Sequence, residues 1–489
     1  MEADHHDAHI EAEKADGILQ DWHGGDDKEN PRNWSTFRKT TSTVIVCLIG
    51  FATTVGASIY SAGHEQVKEQ FNVSTTVSLL PLSAYSLGLA FGPMISSPLS
   101  ETFGRKLVYL LTLPLADIFT IGVGQSRNIA SLIACRFVAG LFAAPGISVA
   151  AATITDYTPP SQRVIPLGIY YSVPSIGSAM GPLIGSFVVE HRGWRWTAWT
   201  PLMMAAVLHP PALFLKESYK PIILQRRARM LGAAAGLNAD SRSLSQGAKE
   251  FITSTIVRPL HMLFTEPLVG FICLYCGFQF ALIYTFVVAS PRVFQSVYGF
   301  SASEQGLSFL GMVAGCIVAP MVLFTVDRLV KRRPNWQRRI DPAAASAPET
   351  TDPPPEVKLY TAMFGSLVLP IGLFCFGWTA RPRIPWIVPI IAQGITFLGS
   401  ILIYIPCNFY MLDVYGSKYG ASASGASSFT RYTLSSAFPL FVSQMYAALG
   451  IGWATSLLGF ISLLMAPIPW LFFYSGPKLR ARSAYEHGT

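Results

Sequence analysis

The chain has 489 residues, of which 51% are hydrophobic and only 13% are charged. Soluble proteins carry about 25% charged residues, so this composition excludes an ordinary soluble domain and indicates a protein that lies in a membrane. The net charge of +8 is spread over many loops, which excludes the concentrated basic patch of a nucleic-acid-binding protein.

A polar segment, residues 1–42, precedes the first apolar stretch, and we predict that it forms a disordered cytoplasmic tail. Crossing a hydrocarbon core of about 30 Å takes a helix of about 20 apolar residues. Six such stretches fill residues 43–216, a hydrophilic loop covers 217–266, and six more fill 267–474. The predicted spans are 43–62, 79–100, 107–125, 129–152, 166–187, 196–216, 267–290, 305–326, 359–378, 384–407, 420–443 and 451–474. The sequence therefore predicts an all-α polytopic membrane protein with twelve transmembrane helices.

Basic residues concentrate in alternate loops, on the same side of the membrane as the N-terminus. Because basic loops stay on the cytoplasmic side, both termini are predicted to be cytoplasmic. The loop 217–266 is expected to carry a basic helix at the inner leaflet. A Pro-rich stretch makes the cytoplasmic loop 327–358 flexible, and residues 475–489 form a cytoplasmic tail. The basic clusters are residues 105–106, 226–229, 328–339 and 478–482.

Two short stretches suggest moving parts. Between the second and third spans, Gly104 supports a turn flanked by Glu101, Arg105 and Lys106, charges that can pair with acids or with helix ends. In the fifth span, small residues recur every fourth position, which lets another helix approach closely. These are Gly177, Gly181 and Gly185, with Pro182 beside them to allow a bend.

Both stretches resemble signatures of the major facilitator superfamily. Gly104, Arg105 and Lys106 match its loop pattern G-x-L-a-D-r-x-G-R-k, with Glu101 where many members have Asp. The glycine stripe and Pro182 match its fifth-helix antiporter pattern, and RFVAG, residues 136–140, is similar to its fourth-helix motif. Further blocks resemble the fungal twelve-span drug:proton antiporters: ENPRNWS (29–35), GWRWTAW (193–199), KESYKPIILQRRARML (216–231) and RPLHMLFTEP (258–267).

The resemblance implies two six-helix bundles around a central cavity, which rock to expose it to each side in turn. It implies export of amphipathic drug-like molecules or of a fungal secondary metabolite across the plasma membrane, or a vacuolar or vesicle membrane. Protons entering down their gradient supply the energy, without a cofactor, and we expect a monomer in the lipid bilayer. The glycine stripe is expected to form the seam between the bundles.

Charged residues inside spans are costly and are functional candidates by default. Asp117 and Arg136 lie at similar depth on adjacent antiparallel helices, so they are predicted to form an ion pair. Protonating Asp117 would then release Arg136, whereas a fixed pair would only join the helices. Arg431, near the middle of the eleventh span, has no acid close in its own helix and must face water, cargo or an acid from another span.

Aromatic and amide side chains are predicted to line the cavity and give stacking surfaces and a few hydrogen bonds. Ordinary packing is the alternative for each of them: Tyr85, Tyr284, Tyr404, Gln279 and Asn408. Asn72 begins a glycosylation sequon in the first outer loop. The seven cysteines lie in apolar stretches, where Cys acts as a small hydrophobic residue, so we predict no metal site.

Other functions remain open on the same scaffold. A polyamine exporter would favour several acids in the cavity, and this sequence offers few. A small-molecule importer would share the fold. A non-transporting sensor would favour a large cytoplasmic signalling tail. An enzyme would need a catalytic cluster at one membrane face, and the sequence has neither that nor a Walker sequence for ATP. We therefore predict that the protein is not an enzyme.

Overall fold

The computed structural model describes Trp22 and residues 26–159, 162–230, 257–331 and 355–480, and ten helices in these ranges are long and apolar enough to cross a membrane. The first six segments are α1 (Thr36–Phe71), α2 (Thr75–Thr102), α3 (Arg105–Gln125), α4 (Ile129–Tyr157), α5 (Val164–Arg192) and the shorter α6 (Trp196–Leu208). The second six are α7 (Pro267–Tyr298), α8 (Ala302–Leu329), α9 (Pro355–Thr379), α10 (Ile387–Gly416), and α11 and α12, which together form Ser422–Arg480.

Two details bring the ten helices to twelve segments. α6 has only 13 residues and continues into the 3-10 helix Pro210–Phe214. Ser422–Arg480 has 59 residues, and its backbone leaves the helical region at Gly450, with φ 73° and ψ 166°. This glycine separates α11, residues 422–449, from α12, residues 451–480. The predicted twelve-helix membrane fold is confirmed.

The chain before α1 is ordered over its last part. Ser35 caps α1 by accepting the N–H of Arg38, and Trp34 stacks on Tyr157 of α4 with ring centroids 5.8 Å apart. Burying this Trp ring stabilises the packing of the segment before α1 against α4 by about 2 kcal/mol. The predicted disorder of residues 1–42 is therefore wrong for 26–42. Residues 1–21 and 23–25 lie outside the described residues.

A short helix, Lys220–Met230, follows α6 and contains the basic segment of the central loop, so the predicted helix there is present. Its Arg227 does not serve as a free basic group. The guanidinium contacts Asp27 at 2.9 Å and Glu29 at 2.6 Å, which ties the start of the central loop to the N-terminal segment. A second helix, Arg258–Thr265, leads into α7. Residues 231–256, 332–354 and 481–489 of the predicted loops and tail lie outside the described residues.

Each half of the protein packs its second and fourth helices through glycines. A Cβ added to Gly88 of α2 would lie 2.3 Å from a carbonyl of α4, and one added to Gly140 of α4 would lie 2.3 Å from a carbonyl of α2. In the other half, a Cβ added to Gly311 or to Gly315 of α8 would lie 2.2 Å from a carbonyl oxygen of α10. The two six-helix halves thus bring backbones together by the same device.

The glycine stripe of α5 faces α1, within the first half. A Cβ on Gly177 would lie 2.0 Å from the Thr54 hydroxyl, and one on Gly181 would lie 1.9 Å from the Ser58 hydroxyl. Gly185 likewise contacts the main chain of α1. The prediction that the stripe forms the seam between the halves is therefore wrong. The spacing showed that a helix approaches closely but could not say which helix.

The seam runs along another face of α5. Near one end, Gly168 lies against Phe324 of α8, where an added Cβ would be 2.9 Å from the ring. Near the other end, Ser186 faces Gly306 at the start of α8. A Cβ added to Gly306 would lie 2.6 Å from the Ser186 hydroxyl. Ser186 stands where the antiporter pattern has its last glycine, and its hydroxyl donates to the carbonyl of Pro182.

Polar contacts also join the halves at the end of the molecule where α1 meets α2. Three hydrogen bonds or ion pairs each join a residue of the first half to a residue of the second, so this end is closed. They are Arg292 with Glu65 at 2.9 Å, the N–H of Ser303 with Glu190 at 3.0 Å, and Thr76 with Gln444 at 2.7 Å.

Candidate functional site

Arg136 of α4 is buried and bonded to main-chain oxygens. Its guanidinium donates to the carbonyls of Gly56 at 2.8 Å, Ala57 at 2.9 Å and Pro81 at 3.3 Å. The first two lie in the last α-helical turn of α1, which becomes a 3-10 helix at residue 59. Carbonyls at a helix C-terminus carry partial negative charge, so they stabilise a cation. Arg136 therefore caps the first α-helical section of α1, Thr36–Ser58, and joins it to α2 and α4.

Two tyrosine rings complete the surroundings of Arg136. Its guanidinium lies 4.6 Å from the ring centroid of Tyr85 and 5.2 Å from that of Tyr60, which are cation–π distances. The Tyr85 hydroxyl donates to the carbonyl of Thr53 at 3.3 Å. Tyr85, a predicted cavity residue, thus binds α1 and Arg136 in this structure.

Asp117 does not contact Arg136. Its carboxylate lies 2.9 Å from Nδ1 of His209, which ends α6, and this pair joins α3 to α6. The predicted ion pair between Asp117 and Arg136 is wrong, because depth along two helices says nothing about rotation about their axes. Asp117 points to α6, and Arg136 points to α1 and α2.

Arg431 of α11 lies at the centre of an aromatic group and is only 4% exposed. Its guanidinium is 4.6 Å from the ring centroid of Phe280, 4.8 Å from that of Tyr432 and 5.4 Å from that of Tyr404. It donates to the hydroxyl of Tyr404 and, at 3.3 Å, to that of Ser428. Its Nε has no hydrogen-bond partner in the described part of the chain.

The aromatic group around Arg431 extends across the two halves. Tyr171 of α5 packs edge-on against Tyr404 and Phe409 of α10, with centroids 5.9 Å and 5.8 Å apart. Phe91 of α2, which is 40% exposed, packs edge-on against Phe429 of α11 at 5.7 Å and gives a separate aromatic contact between the halves. Through Tyr171, the first half therefore contributes a ring to the buried aromatic group around Arg431.

Several buried hydroxyls near this centre are unpaired. The side chains of Ser86 in α2 and Ser178 in α5 approach the hydroxyl of Tyr284 in α7. The three hydroxyls lie within reach of one another, and that of Tyr432 lies within reach of Arg431, but none of the four forms a well-aligned hydrogen bond among the described residues. Unpaired buried polar groups are costly, so their grouping between the halves indicates a place for a ligand or water.

The two predicted amides differ. Asn408 of α10 donates to the carbonyl of Tyr404 at 2.8 Å and to the sulfur of Cys276 at 3.6 Å, and it accepts from Ser427 at 3.4 Å. Gln279 of α7 is fully buried, and neither atom of its amide has a partner among the described residues. Asn408 is thus bound within the second half, whereas the buried amide of Gln279 forms no hydrogen bond among the described residues.

The loop between α2 and α3 forms a latch with the segment after α6. Both oxygens of the Glu217 carboxylate accept backbone N–H groups: those of Arg105 at 3.0 Å and Lys106 at 3.2 Å in α3, and those of Ser218 and Tyr219 at 3.0 Å each. A carboxylate at a helix N-terminus is favoured by capping and by the helix dipole.

Gly104 makes room for that carboxylate. Its φ is 97°, a region that favours glycine, and an added Cβ would lie 2.3 Å from Glu217. Lys106 donates to the carbonyl of Leu213 at 2.7 Å. Glu101 is exposed and forms no hydrogen bond or ion pair within the described part of the chain.

Arg105 holds the other side of the latch. It pairs with Asp156 of α4 at 3.3 Å and donates to Ser100 at 2.5 Å, and Asp156 also accepts the Ser218 hydroxyl at 2.8 Å. The guanidinium lies 4.6 Å above the Tyr219 ring. Burial raises the pKa of Tyr219, so this phenol stays neutral. The prediction that the loop pairs with acids is confirmed, but Glu217 and Asp156 were missed. Glu217 lies in the KESY block, which offered a signal for it.

Asn72 is exposed and ends the helical part of α1 with a left-handed backbone, φ 50°. Asn tolerates this conformation better than most residues, which gives the position a structural role of its own. Glycosylation of Asn72 stays a prediction.

Two helical halves that share a buried cationic and aromatic centre, closed at one end by polar contacts, define a multi-pass membrane transporter. Residues 46–439 match the Major Facilitator Superfamily, and the chain belongs to it. The chain is similar to Polyamine transporter 4 of Saccharomyces cerevisiae (35% identity, 96% of this chain, 73% of the relative) and to MFS transporter fsa7 of a Fusarium species (35%, 96% and 90%). It is also similar to Efflux pump radE of Floropilus chiversii (32%, 97% and 87%).

Solved structures agree on the fold. The proton:xylose symporter XylE superimposes with a TM-score of 0.64 over 90% of this chain and 97% of its own, at 16% identity. At that identity the likeness concerns the architecture and not the cargo.

Proposed function

We propose that this protein is a proton-coupled efflux transporter that exports amphipathic drug-like molecules or a fungal secondary metabolite. The observation that carries the proposal is the similarity of almost the whole chain to relatives named as fungal transporters and as an efflux pump. The buried, partly unpaired polar centre between the halves supports it, because a carrier needs a site that each side of the membrane can reach in turn.

We place the carrier in the plasma membrane with both termini in the cytoplasm; a vacuolar or vesicle membrane is the alternative. The latch end, with Arg105, Lys106 and Arg163, faces the cytoplasm in this proposal, because basic loops are retained there. The end closed by Arg292 and Glu65 then faces outward. The protein works as a monomer, without a cofactor, and performs transport and not catalysis.

The proton gradient supplies the energy. The pair Asp117–His209 is our candidate for the proton-carrying group, since both side chains are ionisable and Asp117 lies within the membrane-spanning helix α3, beside His209 at the end of α6. Arg136, which binds main-chain carbonyls at the end of the first α-helical section of α1, is assigned to positioning α1 and α4 during the movement.

Reconstituted vesicles test the proposal. The purified protein in proteoliposomes is given an imposed proton gradient and a panel of lipophilic toxins, and toxin movement is followed with and without an uncoupler. We expect movement against the proton flux that stops when the gradient is dissipated. Toxin movement that ignores the gradient would refute antiport.

A polyamine exporter is the second candidate, because one relative is named a polyamine transporter. Radiolabelled spermidine in the same vesicles tests it. Gradient-driven movement of spermidine with no movement of any toxin would favour this candidate.

A further inference from the structure

We propose that the site around Arg431 binds the anionic group of an acidic aromatic molecule, so that the cargo is an aromatic carboxylate or enolate. The inference names the cargo class and rests on the proposed transport function. It follows from the difference between the two buried arginines at the centre of the molecule.

Arg136 has its charge balanced by the protein. Three of its N–H groups reach carbonyls, and two of those carbonyls lie at the C-terminal end of a helical segment. A ligand would have to replace hydrogen bonds that already exist. Arg136 therefore has little to gain from an anionic cargo in this conformation.

Arg431 is not balanced in this way. Its recorded hydrogen bonds go to the neutral hydroxyls of Tyr404 and Ser428, and its Nε has no partner within the described chain. The ionisable groups that act on it most strongly, Tyr404, Tyr432, Tyr170 and Cys276, are neutral at pH 7, and no carboxylate of the described residues forms an ion pair with it. A buried charge without a counter-charge is unfavourable, and a planar carboxylate fits the fork of a guanidinium.

The unpaired hydroxyls supply further donors for an anion. Tyr432 is next to Arg431 in sequence, and its ring lies 4.8 Å from the guanidinium. Tyr432 interacts electrostatically with Tyr284, whose hydroxyl is approached by Ser86 and Ser178 from the first half. An oxyanion can accept from such O–H groups, because none of them forms a well-aligned hydrogen bond among the described residues. Contacts to both halves would bind the cargo at the seam.

Aromatic rings give the walls of the site. Phe280 lies against the guanidinium at 4.6 Å, and Tyr171 packs on Tyr404 from the opposite half. Rings in edge and face orientations accept a planar conjugated molecule. A polyamine would meet a cation here instead of acids. The carboxylates of Glu65 and Asp413 lie toward helix ends and are already paired, with Arg292 and Lys358.

Equilibrium binding tests the inference with probes that differ in charge. Purified full-length protein in detergent is titrated calorimetrically, without any proton gradient, with 1-naphthoate, 1-naphthylmethanol, 1-naphthylmethylammonium and spermidine. We expect naphthoate to bind at least about tenfold more tightly than the alcohol, which corresponds to about 1.4 kcal/mol, and the two cations to bind more weakly than the alcohol.

Variants assign the preference to one residue. Arg431→Gln is expected to lower naphthoate affinity at least about tenfold and to leave the alcohol within about threefold. Arg381→Gln removes the same charge from a loop where the guanidinium lies over Trp378, 5.1 Å from its ring centroid, and should leave both affinities unchanged. If Arg431→Gln does not elute as a folded protein, Tyr432→Phe and Tyr284→Phe replace it, with a loss of at least about threefold for naphthoate only.

Three results would overturn the inference: no saturable naphthoate binding to the wild type, tighter binding of either cation, or an unchanged charge preference in the Arg431 or tyrosine variants. Failure of the transport proposal is a separate result. Naphthoate preference with no gradient-driven movement in vesicles would refute antiport and support the anion site. Gradient-driven movement of toxins together with tighter binding of the cations would support antiport and refute the anion site.

Discussion

Gly177→Ala tests the packing of α5 on α1. The new Cβ would lie 2.0 Å from the Thr54 hydroxyl and 3.0 Å from the carbonyl of Phe51, whereas ordinary contact begins at 3.4 Å. Forcing an extra methyl into a packed interior costs about 1–3 kcal/mol, and replacing glycine by alanine within a helix returns about 1 kcal/mol. We expect the free energy of unfolding to fall by up to about 2 kcal/mol relative to the wild type, and by about 1–3 kcal/mol relative to a Gly→Ala change without a clash.

Reversible unfolding by SDS in mixed micelles measures this loss. Gly425→Ala in α11 is the matched control, because its nearest neighbour would be a Pro259 carbon at 3.7 Å, and it should be at least as stable as the wild type. Adding Thr54→Ala to Gly177→Ala removes the nearest clashing atom and should recover at least about 0.5 kcal/mol. Equal stability of Gly177→Ala and Gly425→Ala, or no recovery in the double variant, would refute the reasoning.

The same geometry gives the expected effect of a larger change. Gly181→Leu places its side chain inside the first half, against Ser58, and not between the halves. We therefore expect less folded protein at the membrane, and the surviving fraction should still move cargo. Abundant folded protein fixed in one orientation would show that the stripe acts at the seam after all.

Three further predictions concern the latch, the closed end and the proton-carrying pair. Glu217→Gln keeps an acceptor but loses the charge that binds four backbone N–H groups. The free energy of unfolding in SDS should therefore fall by about 1–2 kcal/mol. Glu101→Gln is the matched control and should lower it by under about 0.5 kcal/mol. A reducible cross-linker between cysteines that replace Glu65 and Arg292 should stop transport until reductant is added. The variants with only one of these two cysteines should stay active. Transport by the cross-linked protein would show that this end need not open. Asp117→Asn should keep exchange of cargo at equilibrium but lose the response to a proton gradient, and an unchanged response would remove Asp117 from proton coupling.

Helix existence could be predicted from the sequence because it depends on local composition. The apolar stretches gave twelve segments, including α6, which has only 13 helical residues. The start of α1 could not be predicted from hydropathy, because Trp34 is ordered by a ring of α4, distant in sequence. Gly450 divides α11 from α12 where the sequence placed a boundary, since glycine alone accepts its φ of 73° easily.

Partners were harder to predict than positions. Asp117 and Arg136 share a depth, but α3 and α4 are rotated so that one side chain meets His209 and the other meets the carbonyls of α1. The stripe of α5 predicted a close helix without naming α1. Hydrogen bonds to main-chain oxygens leave no trace in the sequence of the acceptor, whereas the latch, built from side chains of two sequence blocks, could be partly foreseen.

The cap on α1 has a consequence for how the protein tolerates substitution. Arg136 binds carbonyl oxygens, and every residue type supplies a carbonyl. Changes of side chain at Gly56, Ala57 or Pro81 that fit the space would therefore leave the three acceptors in place. The hydrogen bonds of this joint therefore depend on the side chain of Arg136 alone, while the Tyr60 and Tyr85 rings and the close packing of Gly88 on Gly140 restrict the facing segments in other ways.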